Sequence, residues 1–312
     1  LICKNLKNQS RSLFVNSSQI ALNFGFLPYR RTCGNKCKPH FSIRFSDLDF
    51  HIDSSPGNGF NLITHAHSDH YGQKNLENPN AIASDETARI LETVTEKRFS
   101  GIRFKVGETI KIADLKIKTF PTFHIYGSSA FYFPKLKLLI TGDVKSWKKL
   151  PKCKVLITEA TYSHPSNVFE EEIELLLEKA EEGNNLGAYP IGKAQRVAKI
   201  LSNEGIEFCA EEKIANICRA LDIEIGEEGA KILSPSKLKN GYVLTAQKYY
   251  RLPRIVISDH LDYRGLLKMI EHCKPEHVIF YHGRVSKATI EKLREMDITA
   301  STLDEIDVHF KV

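Results

Sequence analysis

No stretch of this 312-residue chain is apolar for long enough to span a bilayer. Residues 1–20 carry Lys, Arg, Asn and Gln where a secretory signal needs an apolar centre, so the sequence predicts a protein neither anchored nor secreted. A disulfide framework is also lacking. The seven cysteines are odd in number and irregular in spacing over most of the chain, which favours a reducing compartment, the cytoplasm. Nor is charge of one sign in great excess: 44 Lys and Arg against 38 Asp and Glu leave +6, which permits a polyanionic partner without requiring one. With 42% hydrophobic residues the chain can bury a substantial core, as one large domain or two intimate ones.

Residues 1–40 are polar and basic with little periodicity and read as a basic N-terminal extension. Within them Cys33, Cys37 and His40 form a C-x3-C-x2-H group that a structural zinc could use with Cys3 as fourth ligand; an ordinary basic loop is the other reading. From Phe41 the text SIRFSDLDFHIDSS alternates apolar and polar residues as a half-buried hairpin does. Residues 85–96 read as a helix capped by Ser84 or Asp85, after which strand-like patterns resume.

The densest chemistry follows the apolar run 60–63. Residues 64–71, THAHSDHY, put three histidines and an aspartate at a predicted strand end, with His65 and His67 spaced to face one cation and Asp69 and His70 a second. Imidazole with carboxylate suits Zn²⁺ best, with Mn²⁺ or Fe²⁺ admitted. The pattern of an apolar run ending in a potential ligand or acid/base group recurs at His124, Asp143, Glu159, His260 and His282. Strand-end loops are where a rigid scaffold converges functional side chains. Asp53, also at a strand end, is a candidate to accept a hydrogen bond from the far nitrogen of a ligand histidine, or it simply opens a turn.

Between Glu159 and Arg254 the grammar changes. Residues 168–182 read as an acidic amphipathic helix, 185–191 as a strand, 192–202 as a helix, 205–210 as a strand and 211–221 as a helix, which predicts a small parallel α/β cap inserted into a larger domain. In YPIGKAQR a glycine between strand and helix leaves backbone N–H groups open to an anion, with Lys193, Gln195 and Arg196 in the first turns. A solvated basic helix face is the alternative. The lysine-rich stretch 145–154 and the tyrosine-interleaved stretch 237–254 are candidates for holding single-stranded backbone and stacking bases, or are plain surface.

This constellation resembles the β-CASP branch of the metallo-β-lactamase superfamily, from Phe41 to the C-terminus. The resemblance implies an α/β fold: a metallo-β-lactamase αββα sandwich (41–165 and 255–312) with an inserted β-CASP α/β cap (166–254), and a site in the cleft between them. It implies that His65, His67 and His124 bind one metal, that Asp69, His70 and His282 bind the other, and that Asp143 bridges them. Asp53 matches the family's aspartate before the signature loop. Glu159 in TEATY, His260 in SDH and His282 in YHG match its three further motifs. GKAQR, SDHLDY and the strand-HG ending look most like compact enzymes related to messenger-RNA 3′-end processing factors and to ligase-associated DNA exonucleases of prokaryotes.

The expected activity is that of a nuclease with two zinc (or manganese) ions that hydrolyses RNA in processing or decay through an activated water. A repair-type DNA exonuclease is the alternative. A small-substrate metallo-hydrolase and a non-catalytic scaffold are more distant rivals. Asp69, Glu159 and His260 are the catalytic candidates, with His260 the general acid, held protonated by Glu159. Lys193, Gln195 and Arg196 are the expected phosphate contacts. The partner expected is nucleic acid, RNA favoured over DNA, with no membrane; a homodimer is compatible with this reading.

Overall fold

Runs that are apolar at every position need cover on both faces. Val155–Ala160 and His277–Gly283 each contain such a run, residues 155–157 and 278–280, and they lie side by side and parallel at the centre of a seven-stranded sheet. Its order is Thr299–Thr302, His277–Gly283, Val155–Ala160, Leu138–Ile140, Ser129–Phe133, Leu115–Pro121 and Thr109–Ile112. Alternate side chains serve two cores. Val155, Ile157 and Ile279 face a second large sheet, while Leu156, Val278 and Phe280 face the helices Tyr263–Cys273 and Lys287–Glu295. The computed structural model describes residues 15–34 and 36–311.

The second sheet runs Leu27–Cys33, Phe41–Phe45, Leu48–Ile52, Phe60–Leu62, Ala81–Ser84 and Ile102–Phe104, with Lys36–Cys37 and His309–Lys311 both paired to Leu27–Cys33. Ile43, Phe50, Leu62 and Ile82 from this sheet meet Ile117, Phe131, Leu138 and Ile140 from the other, all fully or almost fully buried. Each such side chain contributes about 1.5–3 kcal/mol of transfer free energy. Helix Asp85–Thr95, capped by the Ser84 hydroxyl accepting from Thr87 N, covers the outer face. Helix, sheet, sheet, helix is the αββα order that the resemblance implies.

Between the strands Val155–Ala160 and His277–Gly283 the chain builds a separate five-stranded, all-parallel sheet: Phe208–Ala210, Ala230–Leu233, Leu186–Gly187, Tyr242–Leu244 and Arg254–Ile255. Its core residues Leu176, Leu186, Val197 and Ile214 join Ala83, Ala88 and Leu91 of the sandwich in one apolar cluster. The cap is therefore seated on the helix Asp85–Thr95 rather than tethered to it. Among the described residues no helix is long and apolar enough to cross a membrane.

Three expectations need correction. The first sheet begins at Leu27, not at Phe41, because Leu27–Cys33 pairs antiparallel with Phe41–Phe45. Residues 27–40 are thus part of the sandwich. Their basic character hid this: the buried Arg31 guanidinium donates to Ser54 Oγ and to the carbonyl oxygens of Ser55 and Pro56. The acidic helix starts at Ile173, not at residue 168, since the Glu171 and Glu172 carboxylates accept from Ser258 N and Val256 N and hold the preceding segment as a strap. Finally, Cys33 and Cys37 are exposed on an edge hairpin whereas His40 turns inward, so among the described residues these three do not converge; Cys3 lies outside the described residues.

Candidate metal centre

The C-terminal ends of strands from both sheets meet at one point. Phe60–Leu62 leads to His65, Leu115–Pro121 to His124 and Leu138–Ile140 to Asp143, while Glu159 and His282 sit at the ends of their own strands. Two backbone features allow the approach. Gly142 has φ +64, and a Cβ there would stand 2.6 Å from the Thr64 side chain, so a larger residue would push the Asp143 loop off the His65 loop. A register shift between Thr158 and Glu159 sets Glu159 opposite His282, the kind of bulge that re-aims a side chain.

His65, His67, His124 and Asp143 present four ligand atoms all within 4.8 Å of one another. The hydrogen bonds assign the tautomers. His124 donates from Nδ1 to the Asp259 carbonyl (2.8 Å) and His67 from Nε2 to the Ile191 carbonyl (3.1 Å). His65 Nδ1 has Thr64 Oγ1 at 3.0 Å, and His70 donates from Nδ1 to Asp53 Oδ2 (2.8 Å). In His65, His67 and His124 the far nitrogen is thereby protonated and the near nitrogen keeps a lone pair directed inward. At His70 burial works against charge, but the Asp143 and Asp53 carboxylates outweigh it and raise the ring to about 9, so a cation there would replace its Nε2 proton. His65 Nε2 and His124 Nε2 stand 3.1 and 3.2 Å from His67 Nδ1, a meeting of three lone pairs that no single proton satisfies. Burial, then neighbouring imidazoles, pushes His65 and His124 well below their ordinary pKa, and burial takes His67 down to about 4, so all three are neutral at pH 7.

Asp143 is the shared member. Its Oδ2 lies 3.5 Å from His124 Nε2, 3.7 Å from His65 Nε2 and 3.8 Å from His70 Nε2, while its buried Oδ1 has no hydrogen-bond partner. His70 Nε2 is likewise buried and unpartnered, with Asp69 Oδ2 3.7 Å away. His282 Nε2 stands 4.0 Å from Asp69 Oδ2. Orphaned buried polar atoms cost free energy unless something completes them. Three neutral imidazoles with free lone pairs beside a carboxyl group that burial and then Glu159 raise to about 7 fit a divalent cation of the zinc type, whose charge would hold that carboxyl ionised.

Beside this cluster Glu159 and His260 form a pair. His260 Nδ1 is 2.8 Å from Glu159 Oε2, and Glu159 Oε1 accepts from Val144 N. Burial works against charge on His260, but the Glu159 carboxylate outweighs it and raises the imidazole to about 9. The Nε2–H of His260 remains to act elsewhere. His260 lines a cleft of about 450 Å³ together with His67, Asp69, His124, Tyr162 and Tyr189.

The three residues expected to touch phosphate are occupied otherwise. Gln195 is fully buried; its Oε1 accepts from Gly192 N and its Nε2 donates to the Pro190 carbonyl. Lys193 Nζ donates to the carbonyls of Leu244 and Ile257 and lies 3.9 Å from Asp259 Oδ2. Arg196 makes a two-pronged ion pair with Glu171 and donates to the Ser258 carbonyl. A basic helix face became a clasp because its carboxylate and carbonyl partners come from distant parts of the chain.

Residues 250–302, which carry His260 and His282, match the family described as Zn-dependent metallo-hydrolase RNA specificity domain. That match bears out, over those residues, the resemblance to β-CASP-like metallo-hydrolases. The chain is 22% identical over 297 residues to a curated protein of Opitutus terrae named "Probable DNA ligase", a match covering 78% of this chain and 28% of that one, so the chain spans little more than a quarter of the relative's length. It shares its fold with a protein of unknown function from Enterococcus faecalis V583, at a TM-score of 0.61 and 13% identity over 82% of this chain and 93% of that one.

Two side chains of this candidate centre escaped sequence reasoning. His40 donates from Nε2 to the Asp69 carbonyl (2.7 Å), and its ring lies 5.0 Å from that of His70 and 5.8 Å from that of His282. Tyr281 donates its hydroxyl to Asp53 Oδ2 (2.8 Å). Asp53 therefore accepts from His70, Tyr281, Thr64 N and Thr64 Oγ1 together. The alternation of HVIFYHG carried the signal for Tyr281, since it puts that side chain on the inner face; nothing in the sequence marked His40 apart from the cysteines near it.

Proposed function

We propose that this metallo-hydrolase cleaves phosphodiester bonds of RNA, with His65, His67 and His124 holding one zinc ion, Asp69, His70 and His282 a second, and Asp143 shared by both. A divalent pair supplies Lewis acidity toward the phosphate and makes a water acidic enough to attack at neutral pH. The chain's own residues do the rest. Asp53, His40 and Tyr281 hold the His70 ring and the Asp69 loop in position through hydrogen bonds. Asp69, the most exposed of the ligand set, is placed to orient the attacking water.

The observation that carries this reading is the Glu159–His260 pair, 2.8 Å apart on the wall of the same cleft. A phosphodiester expels an alkoxide that needs a proton, and a histidine whose Nδ1 is tied to a carboxylate presents its Nε2 proton for that purpose. The RNA specificity description of the region around His260 favours RNA. The relative named as a DNA ligase supports the second reading, a DNA exonuclease. In either case the cap, residues 166–254, bounds the cleft opposite the sandwich. The free thiols of the described cysteines support a cytoplasmic setting.

End-labelled RNA and DNA strands of one sequence, incubated side by side with the zinc-loaded protein and a chromogenic lactam, test this directly. RNA is expected to be cut fastest. Preferential cutting of DNA would select the second reading, and turnover of the lactam alone would overturn both.

A further inference from the structure

His260 is a wall shared by two cavities. One is the cleft of the metal centre. The other, of about 290 Å³, shares His260 alone with that cleft and is lined by none of the candidate metal ligands. Its lining includes Lys145, Trp147, Phe169, Arg264 and Lys268. Helix Tyr263–Cys273 turns Leu266, Met269 and Ile270 into the core, and the i, i+4 spacing puts Arg264 and Lys268 together on its exposed face. Trp147, the chain's single tryptophan, is half-buried against the same core with a part of its ring open, and the exposed Lys148 and Lys149 follow it.

Charge at this groove is unevenly spent. Of its carboxylates, Glu171 is bound by Arg196 and Lys145, and Asp262 caps the helix by accepting from Gly265 N, which leaves the exposed Glu170. Arg264 and Lys268 have no ion-pair partner among the described residues. Two free cations one helical turn apart, facing an aromatic ring across a trough, match a flexible polyanion that carries flat bases.

Resting on the phosphodiesterase reading above, we propose that this groove holds the departing side of a single-stranded polynucleotide. Arg264 and Lys268 contact consecutive phosphates beyond the scissile bond, and a base stacks on Trp147. The direction follows from His260: the proton it gives goes to the leaving oxygen, so the strand attached to that oxygen continues past His260, where this groove lies. The stretch matched by the RNA specificity description contains both cations.

The tryptophan makes the test direct, because all tryptophan fluorescence reports on Trp147. Titrating the zinc-loaded protein with a phosphorothioate oligonucleotide, RNA or DNA, should quench it saturably. Arg264→Gln combined with Lys268→Gln, both on the surface, should weaken binding about tenfold or more and lower the log–log salt slope by about one unit or more, at ~0.7 per lost single-strand contact. Hydrolysis of bis(p-nitrophenyl) phosphate, too short to reach the groove, should stay unchanged. Wild-type affinity and salt slope in the double variant, or fluorescence unmoved by an oligonucleotide the enzyme cleaves, overturns the groove and leaves the nuclease reading intact. Failure to cut any phosphodiester overturns that reading instead.

Discussion

At the scale of single residues, Asp143 and His260 allow the proposed metal binding and the proposed proton transfer to be tested apart. Asp143 Oδ2 lies within 3.8 Å of inward-facing nitrogens from His65, His70 and His124, so a cation on either side meets the same carboxylate. Asp143→Asn keeps the size and loses the charge; metal content measured by mass spectrometry should fall and activity should vanish. Two ions per chain in that variant would sink the shared role. His260 touches Glu159 at 2.8 Å and keeps its other nitrogen free. His260→Ala should retain its metal and slow cleavage by about 10²–10⁴. A nitrophenyl ester, whose leaving group needs no proton, should be slowed far less. Loss of an ion in His260→Ala would make His260 a ligand and send the search for the acid elsewhere.

At the scale of elements, what the sequence made legible was what depends on neighbours along the chain. The apolar runs in VLITEA and HVIFYHG announced buried strands, and the histidine and aspartate at each strand end announced the site. Arg31, Lys193 and Arg196 were not legible, because a charged side chain reads as surface until its partners, from loops tens of residues away, are known. The clasp on helix Lys193–Asn203 makes a prediction. Arg196→Ala leaves the largely buried Glu171 with Lys145 as its one remaining cation beside the Ser258 N–H, and should cost about 2–4 kcal/mol, read as a fall in the denaturation midpoint. Replacing Glu171 by Gln as well should recover part of it; no recovery would mean the pair is not what holds the helix. A second element-scale prediction concerns the parallel strands His277–Gly283 and Thr299–Thr302, joined by His277 between the hydroxyls of Thr299 (2.7 Å) and Ser301 (2.6 Å). Burial takes His277 from its ordinary 6.5 down to about 4. The unfolded chain therefore binds this proton first, and the stability owed to the neutral ring is whole above about 6.5 and lost as pH falls toward 4, up to about 3 kcal/mol. His277→Gln should flatten that part of the stability–pH curve, and an unaltered slope between pH 6.5 and 4 would remove His277 from the account.

At the scale of the molecule, the centre sits where three bodies touch. His65 and His70 come from the sheet that begins at Leu27, and His124, Asp143 and His282 from the seven-stranded sheet. The cap reaches in through the Ile191 carbonyl on His67, and the loop just beyond its last strand through the Asp259 carbonyl on His124. A cation bound among these groups would be a fastening between layers as well as a reagent, since ligands from separate elements are ordered together when it binds. Chelation should therefore lower the melting temperature of the whole chain in one cooperative step, and zinc should restore it. Asp143→Asn, already deprived of the shared carboxylate, should show little further response to chelator. His260→Ala, outside the proposed ligand set, should respond as the unaltered protein does. If chelator removes the metal from the unaltered protein, as shown by metal analysis, yet its melting temperature stays where it was, the sheets are held by their apolar core alone, and the cation's part is confined to chemistry.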